Sequence, residues 1–223
     1  MGSQNLGVVV SLFLVCFWTV VLFWFWFSGL KRKIKIITFT GPSGAGKTTI
    51  VGELLKKHPE WKMVISLASR NPRDSDLPGE YRCLVRMDEF LWRDRRGEFI
   101  WIVSSHGYHF GTLLADVRKA LDSGKLSMMQ ILPESVKQLR AYAPDEVLSI
   151  FILPSSEEEL RRRLEKRGDS PEQIKRRITD CRNWEEEARA SDIPYEFVRN
   201  DGTVAEAVER VEEIIQRYIW VRR

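Results

Sequence analysis

The run Gly41-Pro42-Ser43-Gly44-Ala45-Gly46-Lys47-Thr48 constrains this chain more than any other feature. It satisfies the phosphate-binding loop pattern G-x-x-x-x-G-K-[ST] at every fixed position. Its flanks agree with that reading. Residues 33–40 (KIKIITFT) are apolar and β-branched, which suits a buried strand, and residues 47–57 place Ile50, Val51, Leu54 and Leu55 at helical spacing. A glycine-rich loop between strand and helix wraps its backbone N–H groups around a phosphate and aims the helix's positive end at the same anion. Gly41, Ser43, Gly44, Ala45, Gly46, Lys47, Thr48 and Thr49 are therefore candidates for holding a nucleoside triphosphate. Lys47 would neutralise the β- and γ-phosphates, and the Thr48 hydroxyl would ligate Mg²⁺.

The N-terminal segment has a different character. Residues 6–30 hold no Asp, Glu, Lys or Arg and are rich in Val, Leu, Phe and Trp. As a helix they would reach about 37 Å, against about 30 Å of bilayer hydrocarbon. Trp24 and Trp26 suit an interface, and Lys31, Arg32, Lys33 and Lys35 follow the run while no charge precedes it. The positive-inside rule then puts the rest of the chain on the cytoplasmic side. The expectation is a single-pass membrane protein: residues 1–30 as a transmembrane anchor, 31–35 as a basic juxtamembrane segment, and 36–223 as the domain.

Those four basic residues account for the whole formal net charge of +4, so the remainder of the chain balances. A balanced domain is not a nucleic-acid binder by composition. Cys16, Cys83 and Cys181 show no disulfide or zinc spacing, and His58, His106 and His109 form no metal pattern. Beyond the loop, short apolar runs alternate with amphipathic ones. Strands are expected at 61–67, 81–85, 99–104, 125–132, 147–153 and 195–199. Helices are expected at 87–93, 113–123, 133–141, 156–167, 171–190 and 204–221. That alternation argues an α/β fold with a mainly parallel sheet flanked by helices.

From about residue 36 to 218 the chain resembles the guanylate kinase family. The resemblance is carried by ordered blocks: GPSGAGK at 41–47, SRNPR at 69–73, GEY at 79–81, HGYHFGT at 106–112, LPSSEEELRRRLEKRG at 153–168, IKRRI at 174–178 and RNDG at 199–202. It implies a P-loop sheet with a small acceptor-binding subdomain and a helical lid. It also implies phosphoryl transfer from ATP, with Mg²⁺, to the phosphate of a nucleoside monophosphate, GMP by default. By the same resemblance Arg70, Arg73 and Tyr81 hold the acceptor phosphate, and Arg163, Arg167 and Arg177 join Lys47 in stabilising the transferring charge. Asn200 lies near the adenine, and Ser66 and Thr112 belong to the acceptor site.

The chain departs from the family pattern on the base-reading side. Trp101, Gln130 and Leu132 stand where guanine-reading or strand-end carboxylates are expected, and Phe110 replaces a phosphate-binding tyrosine. Trp101 and Phe110 are retained as acceptor-site candidates, Trp101 as a surface that stacks on a base or covers a smaller acceptor, with an ordinary core tryptophan in FIWIV as the equal alternative. Two other readings stay open: a kinase for another phosphorylated acceptor such as a ribose bisphosphate, and a tethered non-catalytic interaction module. Lys47 and Thr48 weigh against the module. Oligomeric state is not legible.

Overall fold

The computed structural model describes residues 34–105 and 107–220. The membrane span expected over residues 6–30, and the basic residues 31–33, lie outside them. Nine strands and seven helices occur among the described residues, in the order β1 (Ile36–Thr40), α1 (Lys47–Lys57), β2 (Lys62–Met63), β3 (Ser66–Ala68), β4 (Tyr81–Arg82), α2 (Met87–Arg95), β5 (Phe99–Ser105), β6 (Tyr108–Leu113), α3 (Leu114–Asp122), β7 (Ser127–Gln130), α4 (Pro133–Tyr142), β8 (Val147–Pro154), α5 (Glu157–Lys166), α6 (Pro171–Ala190), β9 (Tyr195–Asn200) and α7 (Val204–Trp220).

β2, β7, β1, β8 and β9 form one sheet in that order, and every pairing in it is parallel. β1 and β8 are buried along their whole length, as strands covered on both faces must be. Alternation along β1 sends Ile37 and Phe39 to one face and Ile36 to the other. The first face packs against α1 and α7 through Leu54, Val208, Val211 and Ile215. The second packs against α3 and α4 through Val117 and Leu139. β1 lies between β7 and β8, so the loop leaving its C-terminal end opens at the point where the strand order reverses. That is where ligands of open α/β sheets bind.

A second sheet, in the order β4, β3, β6, β5, forms the smaller subdomain. The single strand expected at 61–67 is in fact two. Lys62–Met63 pairs with β7 in the first sheet, whereas Ser66–Ala68 pairs with β4 and β6 in the second. The chain changes sheets at Val64–Ile65, a switch decided by partners distant in sequence. The strand at 108–113 carries Gly111 and two polar residues and was not expected. Pairing with β3 and β5 makes it.

α5 and α6 make a helical hairpin with a core of its own: Leu160, Leu164, Ile174, Ile178 and Cys181. Both helices begin on a serine cap. Ser156 accepts from the Glu159 N–H, and Ser170 forms a reciprocal capping box with Gln173 ahead of Pro171. The hairpin leans on the loop after β1. A Cβ added at Gly44 would stand 2.8 Å from Leu160 Cδ1.

Candidate active site

The phosphate-loop residues adopt the geometry the motif requires. Gly41, Gly44 and Gly46 all take positive φ, at 131°, 90° and 102°. A side chain at Gly46 would strike Asn200, whose Nδ2 stands 2.4 Å from the position of an added Cβ. Asn200 is buried and donates from that nitrogen to Ala45 O at 2.8 Å. Its observed role is to brace the loop from the end of β9. The Lys47 ammonium folds back on the loop, donating to Gly41 O at 2.7 Å and Pro42 O at 2.9 Å. Burial there lowers its pKa to about 8. Glu80 opposes that shift, while Arg167 and Arg177 add to it. Thr48 sits in the first turn of α1 with Thr49 exposed beside it, and its hydroxyl donates to Gln130 Oε1 at 3.1 Å.

The lid brings three arginines over the loop. Arg163 donates to Gly44 O at 3.3 Å and Ala45 O at 3.5 Å while its Nε holds Glu159 at 2.7 Å. Arg167 donates to Ser43 Oγ at 3.1 Å. Asp169 lies between Arg167 and Arg177, pairing with the first through both carboxylate oxygens and with Arg177 Nε at 3.1 Å. Burial pulls the Arg177 guanidinium below its usual value. Arg167 and, from the facing loop, Arg73 push the same way.

On the acceptor side Arg70 is nearly enclosed. It forms a two-pronged bond to Asp76, at 2.7 and 2.6 Å. Its guanidinium lies 4.8 Å from the Tyr81 ring centre and 5.8 Å from that of Phe110. Arg73 is exposed, and its backbone N–H donates to the same Asp76. Burial keeps the Tyr81 phenol well above its usual pKa, so it remains a proton donor. Phe110 meets Tyr81 edge-on at 5.8 Å. Ser66 Oγ and Thr112 Oγ1 share a hydrogen bond of 2.7 Å across β3 and β6.

Trp101 takes the core reading and not the acceptor-site one. It is 5% exposed and packs with Val64, Val117, Met129 and Leu139 in the core beneath the first sheet. The β5–β6 register shifts between Phe99 and Trp101, and Ile100 packs on the same cluster as Trp101, so Trp101 is a packing residue and not a platform for a base. Three carboxylates escaped the sequence reading as site residues: Asp76, Asp169 and Glu80. Only Glu80 had a signal, its place beside Tyr81 in the GEY block. Glu80 is buried, which raises its pKa. Its Oε1 accepts from Gln130 Nε2 at 3.0 Å and its Oε2 accepts from the Leu77 N–H at 3.0 Å. Among the described residues no group of three His, Cys, Asp or Glu side chains could hold a metal ion. Mg²⁺ would instead take the Thr48 hydroxyl, phosphate oxygens and water. This all-oxygen set fits a cation that often keeps most of its hydration.

A parallel sheet with a glycine loop at its switch point, a basic lid and an arginine-bearing subdomain defines a P-loop phosphotransferase. The chain belongs to the guanylate kinase family, whose model, described as "Guanylate kinase", matches residues 33–218. Curated relatives named guanylate kinase include one from Trichormus variabilis, 38% identical over 78% of this chain and 87% of its own length. Another, from Prochlorococcus marinus, is 34% identical over 84% of this chain and 100% of its own. The crystal structure of guanylate kinase from Anaplasma phagocytophilum superposes with a TM-score of 0.65 at 23% identity, covering 86% of this chain and 89% of that one. As a member of this family the protein is a nucleoside monophosphate kinase that uses ATP and Mg²⁺.

The localisation expected from the sequence is corrected here. The family match begins at residue 33, after the apolar run, and the Prochlorococcus relative is matched over its full length by 188 residues of this chain. Among the described residues no helix is long and apolar enough to cross a membrane. It is the match to these relatives that overturns the single-pass anchor, the membrane as partner and the cytoplasmic-face placement. An uncharged run of sufficient length shows that a segment can span a bilayer, which is weaker than showing that it does.

Proposed function

We propose that the domain at residues 36–223 transfers the γ-phosphoryl group of ATP to the phosphate of GMP, giving ADP and GDP. One observation carries this reading. Cations from three separate elements face one space: Arg163 and Arg167 of the lid bond to the loop at Gly44 O and Ser43 Oγ, the charge on Lys47 is disfavoured by Arg167 and Arg177, and that on Arg177 by Arg73 from the acceptor side. Such a cluster is stabilised by a polyanion, and two phosphorylated molecules placed end to end supply one. Phosphoryl transfer asks little covalent chemistry of the protein and much cationic positioning. Lys47 would exchange the Gly41 and Pro42 carbonyls for phosphate oxygens. Arg163 and Arg167 would do the same from the lid. Arg70, held rigid by Asp76 and caged by Tyr81 and Phe110, would present its remaining N–H edge to the acceptor phosphate alongside Arg73. The relatives' name supports GMP as that acceptor.

A second reading, a kinase for another phosphorylated acceptor, is favoured by the base side. Trp101 is in the core, Gln130 is engaged by Thr48 and Glu80, and Leu132 offers no hydrogen-bonding group. A pocket that reads donors with carboxylates discriminates by orders of magnitude. The test is ADP release by the protein with ATP and each of GMP, dGMP, AMP, UMP, CMP and a ribose bisphosphate. GMP is expected to give the highest kcat/KM. A better turnover with the ribose bisphosphate would overturn the choice of acceptor.

The Lys47 pKa has a consequence for binding. A bound triphosphate stabilises the ammonium, so the pKa in the complex lies above the value of about 8 in the free protein. Nucleotide affinity should be flat below about pH 7, be roughly halved near pH 8, and then approach a fall of about tenfold per pH unit up to the pKa of the complex. Titration calorimetry at pH 7.5, 8.5 and 9.5 reads this directly, with proton uptake at pH 8.5 visible in buffers of different ionisation enthalpy. Equal affinities at the three pH values would refute it.

A further inference from the structure

The geometry points to Glu80 as a positioning residue for Mg²⁺, acting through Gln130 on the Thr48 hydroxyl; this rests on the kinase reading above. Gln130 bridges the two, with Nε2 to Glu80 Oε1 at 3.0 Å and Oε1 to Thr48 Oγ1 at 3.1 Å. A carboxylate only accepts hydrogen bonds, so the amide must turn its NH₂ toward Glu80. Its carbonyl oxygen then faces Thr48 and can only accept. The Thr48 hydroxyl, otherwise free to rotate, spends its hydrogen on Gln130 and keeps its lone pairs for a cation. Glu80 itself cannot swing away. The Leu77 N–H holds its other oxygen at 3.0 Å, and its side chain is nearly inaccessible. The negative charge absent from the end of β7, where Gln130 stands, is thus supplied from the second sheet, one amide removed from the metal ligand. Ligand-orienting partners of this kind govern metal affinity by about 10- to 100-fold.

Replacing Glu80 by glutamine removes the directionality, because an amide can offer Gln130 either group. Gln130 can then flip and donate to Thr48, blocking a lone pair. The experiment uses the full-length chain saturated with the non-hydrolysable β,γ-imido analogue of ATP. Mn²⁺, as the paramagnetic substitute for Mg²⁺, is titrated in and its free signal followed by electron paramagnetic resonance. Affinity for the analogue alone is measured in EDTA. Glu80→Gln and Gln130→Met are each expected to weaken Mn²⁺ binding about tenfold while leaving the EDTA affinity within about twofold. The two together should be no worse than either, since they act as one unit. The exchanged pair, Glu80→Gln with Gln130→Glu, restores an acceptor for Thr48 and should recover most of the metal affinity. Unchanged Mn²⁺ binding in both single variants would overturn the inference. So would an EDTA affinity that falls by the same factor, which is the mark of a merely structural role. If Glu80→Gln does not fold, Gln130→Met decides by the same readouts. A wild-type protein that binds the analogue without taking up Mn²⁺ would remove the kinase reading itself.

Discussion

Replacing Lys47 by methionine will lower turnover by about three orders of magnitude, with ADP release from ATP and GMP as the measurement. Methionine keeps the length and much of the volume of the side chain, so the loss isolates the charge. The size of the effect follows from the environment. The ammonium is enclosed by the loop, and its pKa is already depressed to about 8 by burial. A cation in such a site meets developing negative charge with little water to screen it. Single pre-organised donors of that kind are worth about 10²–10³ in rate, and charged ones on a transferring phosphoryl group about 10³–10⁵. A variant retaining more than a tenth of wild-type turnover would show that phosphoryl transfer does not pass through this loop.

Gly41→Ala should be the most destabilising single substitution in the loop. Gly41 has φ of 131°, and an added Cβ would stand 2.2 Å from Ile152 O. The position of a Cβ is set by the backbone, its partner is a backbone oxygen, and Ile152 belongs to β8, which is fixed between β1 and β9. No rotamer change relieves the clash, and no substitution at position 152 removes it. A loss of at least about 3 kcal/mol is expected, or roughly 6–12 °C in Tm for a domain of this size. Gly124→Ala is the control. Gly124 also has positive φ, at 68°, but nothing lies within 4 Å of the added carbon. There only the backbone penalty of about 1 kcal/mol applies. Thermal melts of the two variants side by side check the argument. Equal shifts would mean that the close approach to β8 does not matter.

The two predictions differ in what made them possible. The role of Lys47 follows from the spacing of eight residues, because a phosphate cradle is built from local backbone torsions and one adjacent helix. The cost at Gly41 does not. Nothing in the sequence says that the carbonyl of Ile152, more than a hundred positions away, closes on that glycine. The same division runs through the site. Arg70, Arg73, Arg163, Arg167 and Arg177 were found from the order of their blocks. Two of their organising partners were not, because Asp76 and Asp169 look like ordinary surface acids until the chain is folded. The stretch at 61–67 read as one strand, since periodicity reports which faces are apolar and not which sheet a residue joins. Only the pairing of Met63 with Met128, and of Leu67 with Gly111, divides it.

By itself the sequence determined the phosphate loop, the alternation that makes the parallel sheet and the arginine-bearing segments, because each is written in short-range spacing and side-chain chemistry. The tertiary structure decided which groups those segments meet. It sent Trp101 into the core, caged Arg70 between two aromatic rings, and brought Glu80 to Gln130 and Gln130 to Thr48. Those outcomes depend on contacts between residues tens of positions apart, whose energies exist only once the two sheets and the lid have packed together.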